Sequence, residues 1–398
     1  MEKSWDYMII GSGIAGFKAA ESIRKHDQKG RILLINNEDR HPYKRTRISK
    51  SIASGFAPDD FALTNSDWYN QMEIQLVQDM ALSFDKDKKV VHLKRLGRFS
   101  FQKLILCLGA SSIVPVLKGN ARNEIYTLRK AADAEQLSRH FLSGGKVVVS
   151  GGGVEGVEIS EQAVKSGCQV TLVHNNAYLL NKQFDRSFAE LIQNLLTKHG
   201  IQLILNENIR SIGSTGNVKK IVQIGDLIHI LAEHIIVSHG TKPNIELAIA
   251  AGLKTNRGIL VNQFMETSCR GIYAAGDVAE HPGGQLTGLW HAAEKQGVVA
   301  GTNAAGHELS YPENPFRMKL ELFGQYFFSL NKPAEEHGYE VTTYKKGIDQ
   351  LFRCYFKNGR LSGMLMANDP SQAKVCEKAV YEQWSQTDVL NKLITITS

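Results

Sequence analysis

The strongest constraint on this chain is a unit that it carries twice. Tyr7-Met8-Ile9-Ile10-Gly11-Ser12-Gly13-Ile14-Ala15-Gly16 lies near the start, and Lys146-Val147-Val148-Val149-Ser150-Gly151-Gly152-Gly153-Val154-Glu155-Gly156 lies further on. Each runs from a short apolar strand through Gly-x-Gly-x-x-Gly into a segment of helical pattern (17–25 and 157–166), and a second apolar strand follows (31–35 and 169–173). In that setting the first glycine permits a tight turn, the second lets backbone approach a pyrophosphate, and the third lets the helix pack on the strand. The helix N-terminus then presents free N–H groups and the positive end of its dipole to the phosphates. Two such units in one chain imply an α/β fold with sites for two dinucleotides.

Other segments fall into place around them. Residues 104–109 form an apolar strand ending in Gly109, residues 234–240 a similar one ending in Gly240, and residues 271–277 a third that runs into Gly276 and Asp277. A helical pattern spans 290–305. After Tyr311-Pro312-Glu313-Asn314-Pro315 the pattern changes to alternating strands (339–341, 351–356, 361–366) and a helix over 371–384, which predicts a third, α+β region.

Composition narrows the function classes. A chain of 398 residues suits two or three domains. No apolar stretch is long enough to cross a bilayer, and a strand begins almost at the first residue, so neither a membrane span nor a targeting segment is expected. Cys107, Cys168, Cys269, Cys354 and Cys376 are scattered and odd in number, which suits a reducing cytoplasm. The net charge of +7 favours an acidic partner. The densest basic group is Arg40, Lys44, Arg45, Arg47 and Lys50; it lacks the interleaved aromatics of a nucleic-acid reader, and no nucleic-acid partner is expected. No metal site is expected either.

With these motifs in this order, residues 5–330 resemble the two-dinucleotide-binding flavoprotein reductases of the pyridine nucleotide-disulfide oxidoreductase superfamily. Within it the chain is most similar to the branch of rubredoxin and ferredoxin reductases and the flavoprotein part of NADH-dependent nitrite reductase. The resemblance implies two Rossmann-like domains of the three-layer ββα type, with the nicotinamide domain inserted in the FAD domain. It divides the chain into a split FAD domain (1–112 and 246–310), an NAD(P)H domain (113–245) and a C-terminal α+β domain (311–398). It implies FAD on Gly11, Gly13, Ile14, Ala15 and Gly16, with Gly109, Gly276 and Asp277 completing that site and Asp277 bonding the ribityl chain. NADH or NADPH is implied on Gly151, Gly153, Val154, Glu155 and Gly156, with Gly240-Thr241-Lys242-Pro243-Asn244 as the return from the inserted domain.

Pro42-Tyr43-Lys44-Arg45-Thr46-Arg47-Ile48-Ser49-Lys50 is similar to the segment that runs beneath the flavin in that superfamily. The match implies that Arg45 contacts the FAD phosphates and that Lys50 lies beside the isoalloxazine. Glu158 matches the glutamate facing that lysine, so Lys50 and Glu158 form the catalytic ion pair by resemblance. Trp290 matches the residue opening a helix at the flavin's pyrimidine edge, or is simple core.

The chain also departs from the pattern. A carboxylate for the adenosine ribose belongs about 20 residues past the glycines. In the first unit Glu38, or Asn36 and Glu38 together, fill that role; in the second, His174 stands where NADH enzymes have glutamate, and the choice between NADH and NADPH stays open. Glu155 places a carboxyl inside a glycine loop, where it either weakens nucleotide binding or points at the nicotinamide. No CxxC or CxxxxC pair exists, so a redox-active disulfide is excluded and electrons must leave from the flavin itself. Cys107, Cys168 and Cys269 read as buried small hydrophobes.

Three functions fit. The first is an FAD-dependent NAD(P)H reductase passing electrons to an acidic iron-sulfur carrier, a rubredoxin or ferredoxin, with the basic group around Arg47 steering docking, and with the chain a monomer or homodimer. The second is an NAD(P)H oxidase or flavin reductase using oxygen or a small acceptor. The third is a redox-sensing flavin- and nucleotide-binding regulator. In the C-terminal region Phe323, Tyr326, Phe327 and Phe328 either cover the isoalloxazine or form core, and Arg353, Lys357 and Arg360 read as a solvated face.

Overall fold

The computed structural model describes residues 4–55, 61–214, 216, 219–312 and 316–395. Strand β1 (Ser4–Ile10) is central in a parallel sheet, flanked by β2 (Ile32–Asn36) and β4 (Gly97–Leu106), with β3 (Ile74–Gln78) outside β2. Ile272–Ala274 extends the sheet on the far side of β4, also in parallel. These strands are buried on both faces, with the helices Ile14–His26 and Trp290–Ala304 packed on them, which is why they read as nearly unbroken apolar runs: Met8, Ile9, Leu33, Leu34, Leu104 and Ile105 are fully buried. The shorter strands Val90–Leu93 and Ala81–Asp85 continue from the outer part of β4 as an antiparallel ribbon. Helix α1 (Ile14–His26) starts directly after Gly13, three residues before its apolar periodicity becomes visible, and carries Arg24 and Lys25 in its last turn, whose charges suit a C-terminal dipole end.

The second unit repeats this plan. Strands β5 (Lys146–Ser150), β6 (Gln169–His174), β7 (Gln202–Leu205) and β8 (His234–Val237) form a fully parallel sheet in the order β7-β6-β5-β8. Helix α2 (Val154–Lys165) leaves the glycine turn, and α3 (Arg186–Lys198) connects β6 to β7. A three-stranded antiparallel sheet (Ile209–Ser214, Lys220–Ile224, Ile228–Ala232) adds a further layer. The chain passes between the two units where Ala110–Ser112 pairs antiparallel with Thr241–Pro243. Asn244 fixes that crossing: its backbone N–H donates to the Gly109 carbonyl at 3.0 Å and its side-chain amide to the Leu108 carbonyl at 2.8 Å. Helix α4 (Trp290–Ala304) lies on α1 so closely that a Cβ on Gly297 would sit 2.2 Å from the Ala15 carbonyl oxygen.

The C-terminal region is a five-stranded antiparallel sheet of β9 (Arg317–Leu322), β10 (Gln325–Leu330), β11 (Glu340–Lys346), β12 (Gln350–Lys357) and β13 (Arg360–Ala367), in the order β9-β10-β13-β12-β11. Strand alternation sends Phe328, Phe352, Phe356 and Met366 to one face, under α5 (Ala373–Tyr381). It sends Leu320, Phe327, Tyr355 and Leu365 to the other, against Phe184 and Phe188 of the nucleotide unit. Two expectations are settled differently here. The helix expected over 371–384 is a short turn at Pro370–Gln372 followed by α5, and the chain then turns at Gln383, whose φ is +52°.

Arg353 is not part of a solvated face. It forms an ion pair with Asp185, the N-cap of α3, and another with Glu336 at 3.4 Å, while the Tyr355 hydroxyl donates to Asp185 at 2.9 Å. Its alternation along β12 is real, but the face it points from is the one pressed on the nucleotide unit. Lys357 and Arg360 are exposed as expected.

Candidate functional site

The two glycine turns are built alike. Gly11 has φ +104°, and a Cβ there would meet the Cys107 carbonyl oxygen at 2.1 Å; Gly151 has φ +119°, and a Cβ there would meet the Ser238 carbonyl oxygen at 2.0 Å. A Cβ on Gly16 would lie 1.9 Å from the Gly11 carbonyl oxygen, and one on Gly156 1.8 Å from that of Gly151. At the middle glycines, Gly13 and Gly153, nothing lies within 4 Å of such an atom, so these sides of the loops are open. Both glycines are helix N-caps without a side-chain cap, which leaves the first N–H groups of α1 and α2 free for an anion. These are the steric and electrostatic requirements of two pyrophosphates, and the residues fit FAD and a nicotinamide nucleotide.

Around the first turn, Ile14 and Ala15 are buried, and a Cβ on Gly276 would lie 3.1 Å from that of Ala15, so the 272–277 strand end closes on the loop. Glu38 is buried; it accepts from the Tyr43 hydroxyl at 2.9 Å and pairs with Arg45, which also donates to the Arg129 carbonyl at 2.8 Å. Burial pushes the Tyr43 hydroxyl up to about 12, so it stays a donor. Asn36 braces the turn instead: its amide donates to the Arg40 carbonyl at 2.6 Å and its oxygen accepts the Glu38 N–H at 3.1 Å. The carboxylate of Glu38 keeps further lone pairs available, whereas the Asn36 amide is committed to the turn.

Asp277 lies at the mouth of this site, paired with Arg129 at 2.5 Å. Arg129 also donates to the Ala110 carbonyl at 2.8 Å. The sequence reading missed Arg129, which follows the fully buried Leu128 in no periodic pattern. Behind Asp277 the Gly276 N–H donates to buried Gln296 at 2.7 Å. Trp290, the first residue of α4, is half-buried and packs on the core of the first sheet, while the N-terminus of α4 has no side-chain cap.

Between the two turns lies the Lys50 and Glu158 pair. The Lys50 ammonium is 3.6 Å from Oε1 of Glu158, and the Ser49 hydroxyl donates to Oε2 at 2.5 Å. Burial pushes the Glu158 carboxyl up, and Lys50 and Ser49 oppose that shift. One turn along α2, Gln162 accepts the Ala53 N–H at 3.1 Å, so a single helix face binds the second unit to the segment beneath the first.

His174 ends β6 beside the second turn. Its Nδ1 accepts the Gly152 N–H at 3.1 Å, and burial lowers its pKa, so the ring is neutral. His239, beside Gly240, was also missed; its Nε2 lies 2.8 Å from the Ser150 hydroxyl, and burial lowers its pKa too. The Glu155 carboxyl is pushed up to about 7, chiefly by burial, against the pull of a hydrogen bond with Ser238 and of the Arg129 charge.

The basic group is only partly turned inward. Arg40 pairs with Glu135 at 2.7 Å and Arg45 with Glu38, whereas Lys44, Arg47 and Lys50 are exposed, Lys50 with its ammonium beside Glu158. The C-terminal aromatics are core: Phe327 and Phe328 are fully buried and Tyr326 nearly so, and Phe323 stacks on His199 with ring centroids 3.8 Å apart. Cys107 and Cys168 are buried as expected, and Cys269 is partly exposed.

Comparison with known proteins agrees with this geometry. Residues 5–297 match the model of the pyridine nucleotide-disulphide oxidoreductase family. The NADH-rubredoxin oxidoreductase of Clostridium acetobutylicum is 32% identical over 95% of this chain and 95% of its own length. The ferredoxin--NAD(+) reductase subunit of the benzene 1,2-dioxygenase system of Pseudomonas putida is 27% identical, over 94% of this chain and 92% of its own. The crystal structure of the clostridial enzyme superposes with a TM-score of 0.77 and 30% identity, covering 96% of each chain. The chain therefore belongs to the pyridine nucleotide-disulphide oxidoreductase family and is an oxidoreductase that uses FAD and a nicotinamide nucleotide.

Proposed function

We propose that this protein takes two electrons from NADH and passes them one at a time to a small iron-containing carrier of the rubredoxin or ferredoxin kind. The observation that carries the reading is the Lys50 and Glu158 pair set between two open glycine turns, with no cysteine pair beside it. FAD, when bound, supplies the conversion of a hydride into single electrons. The chain supplies the rest. The free N–H groups of α1 and α2 hold the two pyrophosphates, Glu38 and Asp277 orient the first nucleotide, and Lys50 keeps a positive charge at the meeting face. Glu158 and Ser49 hold that ammonium in place. The chain holds no CxxC or CxxxxC pair, so no dithiol beside the flavin takes the electrons.

NADH is favoured over NADPH because no arginine stands ready beside His174, and the clostridial relative is named for NADH. The net charge of +7 suits an acidic carrier. The division into FAD (1–112 and 246–310), NAD(P)H (113–245) and C-terminal (311–398) domains follows the crossing at Ala110–Ser112 and Thr241–Pro243 and the change of pattern after α4. No helix among the described residues is long and apolar enough to cross a membrane. Work in the cytoplasm is in keeping with five unpaired cysteines.

The test is steady-state turnover of the FAD-loaded protein with NADH and a rubredoxin, a ferredoxin or oxygen as acceptor. A carrier rate well above the oxygen rate supports the reading. A faster rate with oxygen than with every carrier overturns it.

A further inference from the structure

The two glycine turns align position for position, and the position after the second glycine's neighbour differs most sharply in chemistry. In the first turn it is Ala15, packed under Gly276 and Gly297; in the second it is Glu155. Glu155 lies three residues before Glu158, on the face of α2 that meets the first unit. It therefore stands between two ion pairs that join the units, Lys50 with Glu158 and Arg129 with Asp277. It is also at the β8 end of the sheet, hydrogen-bonded to Ser238, whereas His174 marks the adenosine end at β6. Its place is thus the nicotinamide end of the second nucleotide.

The charges around Glu155 leave it without a counterion of its own. Arg129 is bound to Asp277 and to the Ala110 carbonyl, and Lys50 to Glu158. Asp133, from the helix Ala131–Leu142, and Glu158 add negative charge, and His239, next to Ser238, is held neutral by burial. A carboxyl group so placed complements a cation. The reduced nicotinamide ring is neutral; loss of a hydride makes it a cation.

We propose that Glu155 is a second carboxyl group of the nicotinamide pocket, one that binds the cationic oxidised ring more tightly than the neutral reduced ring. The inference rests on the reading that the second turn holds the hydride donor. Ionised Glu155 then favours the oxidised nucleotide and draws hydride transfer forward; protonated Glu155 does not discriminate. Its carboxyl titrates near neutrality, so the preference grows as pH rises.

The test titrates the FAD-loaded protein with NAD+ and with a tetrahydronicotinamide analogue, whose ring is neutral and transfers no hydride, at about pH 6 and about pH 8.5. Binding is followed by the change in flavin absorbance. NAD+ binds about five- to tenfold more tightly at the higher pH, and the analogue binds equally at both. Glu155→Gln abolishes the pH difference for NAD+ and leaves the analogue unchanged, which also shows that the variant is folded. The proposal is overturned if the NAD+ affinity is the same at both pH values or keeps its pH difference in Glu155→Gln. It is equally overturned if both nucleotides weaken together at high pH, as a carboxylate acting on the pyrophosphate would require. Whether NADH bleaches the flavin of the unaltered protein is a separate arm: no bleaching removes the underlying reading, and normal bleaching with a flat NAD+ profile removes this inference alone.

Discussion

Lys50 and Glu158 come from different nucleotide units, 108 positions apart, and meet at 3.6 Å across the gap between the two glycine turns. The lysine is partly exposed and the glutamate buried, so the pair is anchored from the α2 side and presents its ammonium toward the shared space. Ser49 completes the anchor with its 2.5 Å hydrogen bond to the same carboxylate.

Removing the ammonium should slow flavin reduction without emptying the flavin site. Lys50→Met is expected to lower the NADH reduction rate about 10- to 100-fold while FAD content stays normal, because a preorganised charge acts on the transfer and not on the distant pyrophosphate. Rapid-mixing spectroscopy with a parallel FAD assay checks both.

The two turns should fail separately. Gly11→Ala puts a methyl group against the Cys107 carbonyl at 2.1 Å, and Gly151→Ala does the same against Ser238 at 2.0 Å. The first should lose bound FAD on gel filtration; the second should keep FAD and bind NADH at least about tenfold more weakly. Retention of FAD by the first variant would place the flavin elsewhere.

Stability should carry the mark of Glu155. Its folded value of about 7 lies above the ordinary 4.5, so the folded protein holds a proton that the unfolded chain has released between those limits. Stability therefore falls as pH rises through that window. Glu155→Gln should match the parent near about pH 4 and exceed it by about 2 kcal/mol near about pH 8, read from urea unfolding at the two values.

Arg353 should matter for folding although it belongs to neither turn. Arg353→Ala leaves Asp185, whose side chain is 8% exposed, with one charge partner fewer at the joint between the C-terminal sheet and α3. A loss of about 2–3 kcal/mol is expected in chemical denaturation, with FAD content unchanged under native conditions.

Much of this site was legible in the sequence for a steric reason. Where a Cβ would fall less than 2 Å from a backbone oxygen, at 1.9 Å for Gly16 and 1.8 Å for Gly156, only glycine serves, and the requirement is written locally. The strands were legible because burial on both faces leaves unbroken apolar runs, as in Ile32–Asn36. What escaped depends on partners remote in the chain. Nothing near Arg129 announces Asp277, nothing near Arg353 announces Asp185, and the inward turn of Arg40 depends on Glu135. The aromatics at 326–328 alternate as a strand should, but only the packed sheet shows that both of its faces are covered.

The central claim is that a nicotinamide nucleotide on the second turn reduces a flavin on the first. Anaerobic stopped-flow mixing of the FAD-loaded protein with NADH, and separately with NADPH, measures it most directly through the bleaching of the flavin band. Rapid bleaching, faster with NADH, is the predicted result. No bleaching with either nucleotide, while dithionite still reduces the flavin, would contradict the account.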